Sequence, residues 1–212
     1  IVIIDDSRQE LSDYETMILT HASTALKLIA QKYISNMEIE TRYRDGFVQD
    51  IVLNNIKSLQ EVVKRGKIYG WDLSEKFYTA VIVDIDDFKI QYLNIRSKED
   101  SETIEKHNDD IFDYSLKFFR RFFKTVLYTK FTDSTAFIIK HDKPDEATAQ
   151  KILSCCNTLK GELQAAYNFT VTIGISEPKG SIMDCHIAYQ EAQKAVKISR
   201  LVYKRDNTAT YS

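Results

Sequence analysis

Residues 77–85 read FYTAVIVDI, a nearly continuous run of β-branched and aromatic residues from Phe77 to Ile85. Strands with one solvated face alternate polar and apolar residues, whereas an unbroken apolar run is typical of a strand that is buried on both faces. The run therefore predicts the central strand of a sheet. The rest of the chain is expected to supply its neighbouring strands and the helices that cover it.

The elements after this strand alternate between strand and helix patterns. A charged segment, residues 97–110, is expected to form a loop, and Thr132, Asp133 and Ser134 a hairpin turn. Residues 169–176 alternate strictly between apolar and other residues, which is the signature of a strand. The expected order is strand, helix, strand, strand, helix, strand, helix and a short last strand, for residues 77–85, 111–124, 126–131, 136–139, a helix opened by Pro144, 169–176, 181–200 and the tail. This order predicts an α/β (α+β) fold with a mixed, largely antiparallel sheet and flanking helices.

The first third of the chain has helical patterns. Residues 1–4 resemble a strand, and a helix is expected from Ser12 or Asp13 to about Tyr43, with Gly46 interrupting it before a second helix over residues 47–56. Ser58 is expected to cap a third helix, which Gly66 and Gly70 end. An apolar stripe follows one face of the first helix, formed by Leu19, Ala22, Leu26, Ile29 and Tyr33. Two interpretations stay open: a short coiled-coil seam that makes a homodimer, or packing of the stripe against its own domain.

Composition excludes several classes of protein. With 43% hydrophobic and 28% charged residues in a chain of 212, the protein is expected to be globular. A net charge of −2 lacks the basic excess that phosphate contacts need, so this segment is not expected to bind DNA itself. Cys155, Cys156 and Cys185 form no disulfide framework, which indicates a reducing, cytoplasmic setting. No apolar run is long enough to span a membrane.

Three carboxylates, Asp84, Asp86 and Asp87, follow the central strand. They are candidate ligands of a hard cation, because a strand end supports carboxylate oxygens rigidly. A solvated strand end that caps the next helix is the favoured alternative. The histidines lack metal-ligand spacing and no glycine-rich phosphate loop occurs. No catalytic residue, metal or cofactor is therefore expected, and the three aspartates count only as vestigial candidates.

Residues 83–89, VDIDDFK, are similar to the strand-end segment of GGDEF domains, in which the first carboxylate binds the Mg²⁺ of a nucleotide cyclase. The resemblance places the namesake hairpin of that family at residues 130–137, KFTDSTAF. This hairpin has no glycine to let the backbone approach phosphate, and Thr135 stands where the family has a metal-binding glutamate. The resemblance therefore implies a degenerate GGDEF-like, ferredoxin-like domain that lacks the residues for catalysis.

A second resemblance covers nearly the whole chain. Residues 40–52 (ETRYRDGFVQDIV), 70–74 (GWDLS), 172–176 (TIGIS) and 188–196 (AYQEAQKAV) together resemble PucR- and CdaR-type transcription regulators. Residues 1–32 look like the last strand and helix of a GAF-like sensor. The resemblance implies three parts: the end of the sensor in residues 1–38, linker helices in 39–70 and the degenerate domain in 71–212.

The function that this second resemblance implies is a non-catalytic segment for signalling and dimerisation. Because the chain starts inside a strand without a methionine, we expect it to begin partway through a domain. A small-molecule effector would act through an upstream domain, and DNA would bind only through a helix-turn-helix domain beyond Ser212. Two alternatives stay open: a degenerate domain that still binds a nucleotide, or an active nucleotide cyclase that uses Asp84.

Overall fold

The computed structural model describes residues 12–74, 76–88, 98–167, 169–203 and 205–211. The chain divides into two units, one that ends at Arg44 and one that begins at Asp45. The division predicted from the sequence, at residues 38/39 and 70/71, stays a prediction. In the described part of the chain, no helix combines the length and apolarity needed to cross a membrane.

Within the described residues, five strands form one sheet in the order β2-β3-β1-β4-β5. The central strand β1 pairs antiparallel with β3 on one side and with β4 on the other, as the unbroken apolar run predicts. β2 extends the sheet antiparallel to β3, and β5 pairs parallel with β4 at the other edge. The strands are β1 Phe77–Ile85, β2 Thr125–Lys130, β3 Ser134–His141, β4 Val171–Ile175 and β5 Thr208–Thr210.

Helices cover both faces of this sheet. They are α1 Asp13–Val52, α2 Leu59–Ile68, α3 Lys98–Phe122, α4 Glu146–Tyr167 and α5 Cys185–Tyr203, the last preceded by a 3-10 turn at Ile182–Asp184. Val81 and Val83 of β1 point into a core shared with α3 and α4. Tyr78 and Ile82 point the other way, into a core shared with α2, α5 and the end of α1. The mixed α/β fold with flanking helices is thus confirmed.

The helix α1 is continuous, and the predicted interruption at Gly46 is wrong. Glycine in a helix costs about 1 kcal/mol relative to alanine. The residues that follow Gly46 offset this cost, because Phe47, Val48 and Ile51 are buried in the second unit. Gly46 itself has no atom within 4 Å of the position that a Cβ would occupy, so no close approach requires a glycine there.

The charged segment before Ile111 is helical rather than a loop, because α3 begins at Lys98. Lysine and glutamate have high helix propensity, and a helix that extends from a buried segment avoids the cost of a new nucleus. The charge of a segment therefore does not by itself predict the absence of a helix. The strand predicted for residues 1–4 lies outside the described residues.

Both ends of α2 lie where the capping serine and the glycines of the sequence predict them. Ser58 is the N-cap, and its hydroxyl accepts a hydrogen bond from the Glu61 amide at 3.4 Å. At the other end the amide of Trp71 donates to the carbonyl of Gly66 and that of Gly70 to Lys67, with Gly70 at φ 74°. This pair of bonds is a Schellman motif, in which the left-handed residue is usually glycine.

Candidate functional site

The three aspartates lie where the sequence places them, at the end of β1. Asp84 is opposite Ser134 of β3 and Thr172 of β4, in the middle of three paired strands. Asp86 and Asp87 lie in the turn after the strand, and Asp87 adopts a left-handed conformation with φ 58°. The amide of Asp86 donates to the carbonyl of Thr170 at 3.0 Å, which holds this turn against the start of β4.

Asp84 forms an ion pair with Arg200 of α5. The distance from Arg200 Nη2 to Asp84 Oδ1 is 2.7 Å, and the Asp84 side chain is only 16% exposed. Burial raises the pKa of Asp84 to about 6, the guanidinium of Arg200 opposes this rise, and the nearby carboxylate of Asp133 adds to it. The strand end therefore concentrates negative charge in a place that water reaches poorly.

Asp86 is more deeply buried than Asp84, with a side chain that is 1% exposed. Its Oδ1 accepts hydrogen bonds from Thr172 Oγ1 at 2.7 Å and from Arg200 Nη2 at 3.1 Å. Its Oδ2 accepts one from the backbone amide of Asp206 at 3.0 Å. This arrangement differs from the solvated strand end favoured from the sequence. Asp86 joins β1 to β4, to α5 and to the segment that leads into β5.

Two further ion pairs surround this carboxylate. Asp87 pairs with Arg205, whose side chain is 59% exposed. Lys160 of α4 pairs with the Asp206 carboxylate at 3.7 Å and donates a hydrogen bond to the Asp206 backbone carbonyl at 2.8 Å. Sequence reasoning missed Arg200, Arg205 and Asp206, since their contacts with the three aspartates span more than a hundred residues and no local pattern marks them. The role of these aspartates as a helix N-cap stays a prediction, because residues 89–97, which follow them, lie outside the described residues.

The β2–β3 hairpin lies beside Asp84. A bond of 2.8 Å from the Phe131 amide to the Ser134 carbonyl closes the turn, and the Asp133 carbonyl accepts from the Ile85 amide at 3.1 Å. The Phe131 ring stacks on Tyr189 of α5 with centroids 5.4 Å apart. Thr135 is only 5% exposed. The hairpin is thus packed against β1 and α5 by an aromatic contact.

Two cavities among the described residues lie at the other end of β1. One, of about 240 Å³, is lined by residues that include Thr79, His141 and Tyr211. Another, of about 440 Å³, includes Phe77, Asp142 and Ile182 in its lining. Neither lining includes the aspartates of the strand end, so the charged groups and these two cavities belong to separate places in the fold.

The family model of the GGDEF-like domain matches residues 54–198, which is more than half of the chain. The chain belongs to the GGDEF-like domain family. No curated protein matches it.

Solved GGDEF domains share the fold. The diguanylate cyclase SiaD of Pseudomonas aeruginosa, solved with its activator SiaC, is 13% identical with a TM-score of 0.50, over 93% of this chain and 80% of that chain. The active GGEEF domain of a diguanylate cyclase from Vibrio cholerae is 12% identical with a TM-score of 0.45, over 70% of this chain and 88% of that one. The GGDEF domain of YfiN from Pseudomonas aeruginosa is 13% identical with a TM-score of 0.47, over 71% and 88%. At this identity the likeness concerns the fold alone.

The residues of this GGDEF-like domain do not fit a divalent cation at the strand end. Asp84 Oδ1 and Asp86 Oδ1 already accept hydrogen bonds from one guanidinium nitrogen of Arg200. Across residues 12–74, 76–88, 98–167, 169–203 and 205–211, no group of three or more His, Cys, Asp or Glu side chains could hold a metal ion. The cysteines do not change this, since all three are buried and burial raises the pKa of the Cys156 and Cys185 thiols.

Proposed function

We propose that this GGDEF-like domain is a non-catalytic signalling module that does not turn over nucleotides. The observation that carries the proposal is the β2–β3 hairpin. It contains no glycine, and the position of the family's glutamate is taken by Thr135, which is 5% exposed. Catalysis by bound metal needs carboxylate ligands and room for phosphate, and a buried hydroxyl supplies neither.

The strand end supports the same proposal. Asp84 is the carboxylate that resembles the metal ligand of cyclases, and both Asp84 and the neighbouring Asp86 bind Arg200. A metal ion would have to displace a guanidinium that is held by two ion pairs. Phe131 and Tyr189 stack between the hairpin and α5, so an apolar contact packs the hairpin against that helix.

The test is the conversion of GTP to a cyclic dinucleotide with Mg²⁺, followed by chromatography, with the Vibrio cholerae domain as positive control. We expect no product above the level without enzyme. Product that disappears in Asp84→Asn would contradict the proposal and support the alternative of an active cyclase. Thermal unfolding with and without GTP tests the remaining alternative, a degenerate domain that still binds a nucleotide. A higher unfolding temperature with GTP, but no product, would support that alternative.

We further propose that the module belongs to a PucR- or CdaR-type transcription regulator, in which it relays the state of an upstream sensor to a DNA-binding domain. The motifs at residues 40–52, 70–74, 172–176 and 188–196 support this assignment. Binding of a small-molecule effector and of DNA would then reside in parts of the regulator outside residues 1–212. Sequencing the flanking regions of the gene tests the assignment, since we expect a helix-turn-helix domain after Ser212.

Dimerisation through α1 is part of this proposal. Leu26, Ile29 and Tyr33 are about two-thirds exposed on the helix, at 65%, 66% and 66%. Ala22 is exposed as well and Leu19 is partly buried. Apolar side chains in a stripe of this kind gain about 25 cal/mol per Å² when a partner covers them. A second copy of the same helix is the partner that we propose, because twofold pairing brings identical stripes together.

A further inference from the structure

Three oxygen atoms converge on one nitrogen at the end of β1. Arg200 Nη2 lies 2.7 Å from Asp84 Oδ1, 3.1 Å from Asp86 Oδ1 and 3.4 Å from the backbone carbonyl oxygen of Ile85. Two carboxylates and a backbone carbonyl are the kinds of oxygen donor that hard cations take in proteins. The atom at their centre, however, belongs to a side chain of this same domain.

The buried carboxylates at the end of β1 need a positive charge beside them. Asp84 and Asp86 are 16% and 1% exposed, so neither carboxylate can rely on water to stabilise a negative charge. Asp133 adds a third negative charge close enough to affect Asp84. An arginine stays protonated at every physiological pH, and its planar group can donate several hydrogen bonds at once.

We infer that Arg200 is a permanent internal cation, which takes the place of a bound divalent ion and makes the folded state independent of Mg²⁺. Arg200 is a residue of α5, so its guanidinium lies beside Asp84 and Asp86 whenever that helix packs on the sheet. Gly174 allows this close packing, since a Cβ there would lie 2.2 Å from the carbonyl oxygen of Ala192 in α5. Asp86 also binds the Asp206 amide, so the same site holds the segment that leads into β5.

Removal of the guanidinium should leave two buried carboxylates and a carbonyl without a cation. The test compares the wild-type chain with Arg200→Ala, Arg200→Lys and Arg205→Ala at pH 8, above the pKa of Asp84. Binding of Mn²⁺ is followed by electron paramagnetic resonance, and urea unfolding is measured with MgCl₂ against NaCl of equal ionic strength. No nucleotide is present, so the outcome is separate from any turnover of GTP.

The wild type should bind no stoichiometric Mn²⁺, and its unfolding midpoint should be the same in both salts. Arg200→Ala should unfold at a lower urea concentration than the wild type, and it should bind one Mn²⁺ at least about tenfold more tightly than the wild type, which is about 1.4 kcal/mol. Arg200→Lys should stay without Mn²⁺ because it keeps a positive charge. Arg205→Ala is the matched control, since it removes a neighbouring arginine but leaves the contact between Asp84 and Arg200.

The inference is overturned if Mg²⁺ stabilises the wild type beyond the NaCl control, or if the wild type binds Mn²⁺ stoichiometrically. It is also overturned if folded Arg200→Ala binds Mn²⁺ no more tightly than Arg205→Ala, because loss of net positive charge would then explain any binding. Should Arg200→Ala fail to fold, Arg200→Gln replaces it as the neutral variant. If both fail, the wild-type titration decides by itself.

Discussion

Asp86 is a carboxylate that receives three hydrogen bonds while almost fully excluded from water. Its donors come from β4, from α5 and from the backbone before β5, which are separated from it by 86 to 120 residues in the chain. A buried carboxylate with every partner in place is tolerated in a fold, whereas one that loses a partner becomes costly. Removal of the carboxylate is costly in the same way, because it leaves its buried donors without an acceptor.

We predict that Asp86→Ala lowers the free energy of unfolding by roughly 3–5 kcal/mol, because Arg200, Thr172 and the Asp206 amide lose their common acceptor. Urea unfolding followed by circular dichroism measures this. Asp87→Asn is the control: it removes the charge that pairs with the exposed Arg205 but keeps a residue that tolerates the left-handed backbone at this position, and it should cost less than about 1 kcal/mol. Equal losses in the two variants would contradict the role given to Asp86.

His141, at the other end of the sheet, gives a prediction about pH. Burial lowers the pKa of His141 below 6.5, although the Lys143 carbonyl and the carboxylates of Asp142 and Asp145 act in the opposite direction. The unfolded chain therefore takes up the proton first as the pH falls. The stabilisation is complete above pH 6.5 and is lost as the pH falls from 6.5 to the lower pKa of the folded state.

We expect the free energy of unfolding to decrease between pH 7 and pH 5 more steeply in the wild type than in His141→Gln. The glutamine cannot be protonated, but it can still contact Thr79, whose hydroxyl lies 2.9 Å from His141 Nε2. Urea titrations at several pH values give the two slopes. Identical slopes would mean that His141 does not contribute to the pH dependence.

At the scale of elements, α1 has two different surroundings along its length. Phe47, Val48 and Ile51 near its end are buried in the core of the second unit. In the first unit, Tyr14, Leu26, Ile29 and Tyr33 are exposed among the described residues. A helix that is apolar and uncovered along part of its length is suited to association, which is the basis of the proposed dimer.

We predict that the chain is a dimer in solution and that Leu26→Glu/Ile29→Glu is a monomer. Charged residues in an apolar seam would repel each other across the twofold axis. Sedimentation at tens of micromolar, on the order of a weak-dimer range, measures the state. Leu28→Glu is the matched control, because Leu28 is 61% exposed on the same helix but lies off the predicted stripe. A monomeric wild type, or a variant that stays dimeric, would exclude this interface.

For the whole molecule, the central strand decides whether the second unit folds. β1 is paired on both sides and covered on both faces, and Val81 has no exposed surface. Its neighbours come from α3, α4, β3 and β4, so a change at Val81 affects both halves of the sheet. Cooperative unfolding of the second unit is the expected response.

We predict that Val81→Asp abolishes folding of the second unit, because an unpaired buried carboxylate costs roughly 3–5 kcal/mol or more, which is much of the stability of a typical domain. Loss of the cooperative thermal transition and of soluble protein are the measurements. Ile198→Asp introduces the same carboxylate at a position that is 56% exposed and should stay folded. A soluble, cooperatively unfolding Val81→Asp would contradict the central place of β1.

The local patterns of the sequence were sufficient for most elements. An apolar run predicted β1, alternation predicted β4, and Ser58 and Gly70 predicted the ends of α2. These predictions succeeded because burial, periodicity and capping act over a few residues. They were wrong where a distant contact outweighs a local preference, as at Gly46, whose cost in α1 is offset by burial of the residues after it.

The sequence alone also determined which carboxylates stand at the end of β1 and that its hairpin lacks glycine. Only the tertiary structure decided what those carboxylates bind. Arg200 meets Asp84 across 116 residues of chain, and it does so because α5 packs closely on the sheet at Gly174. A side chain's partner in a site depends on which helix crosses which strand. No spacing along the chain carries that information, since it is set by the packing of both cores together.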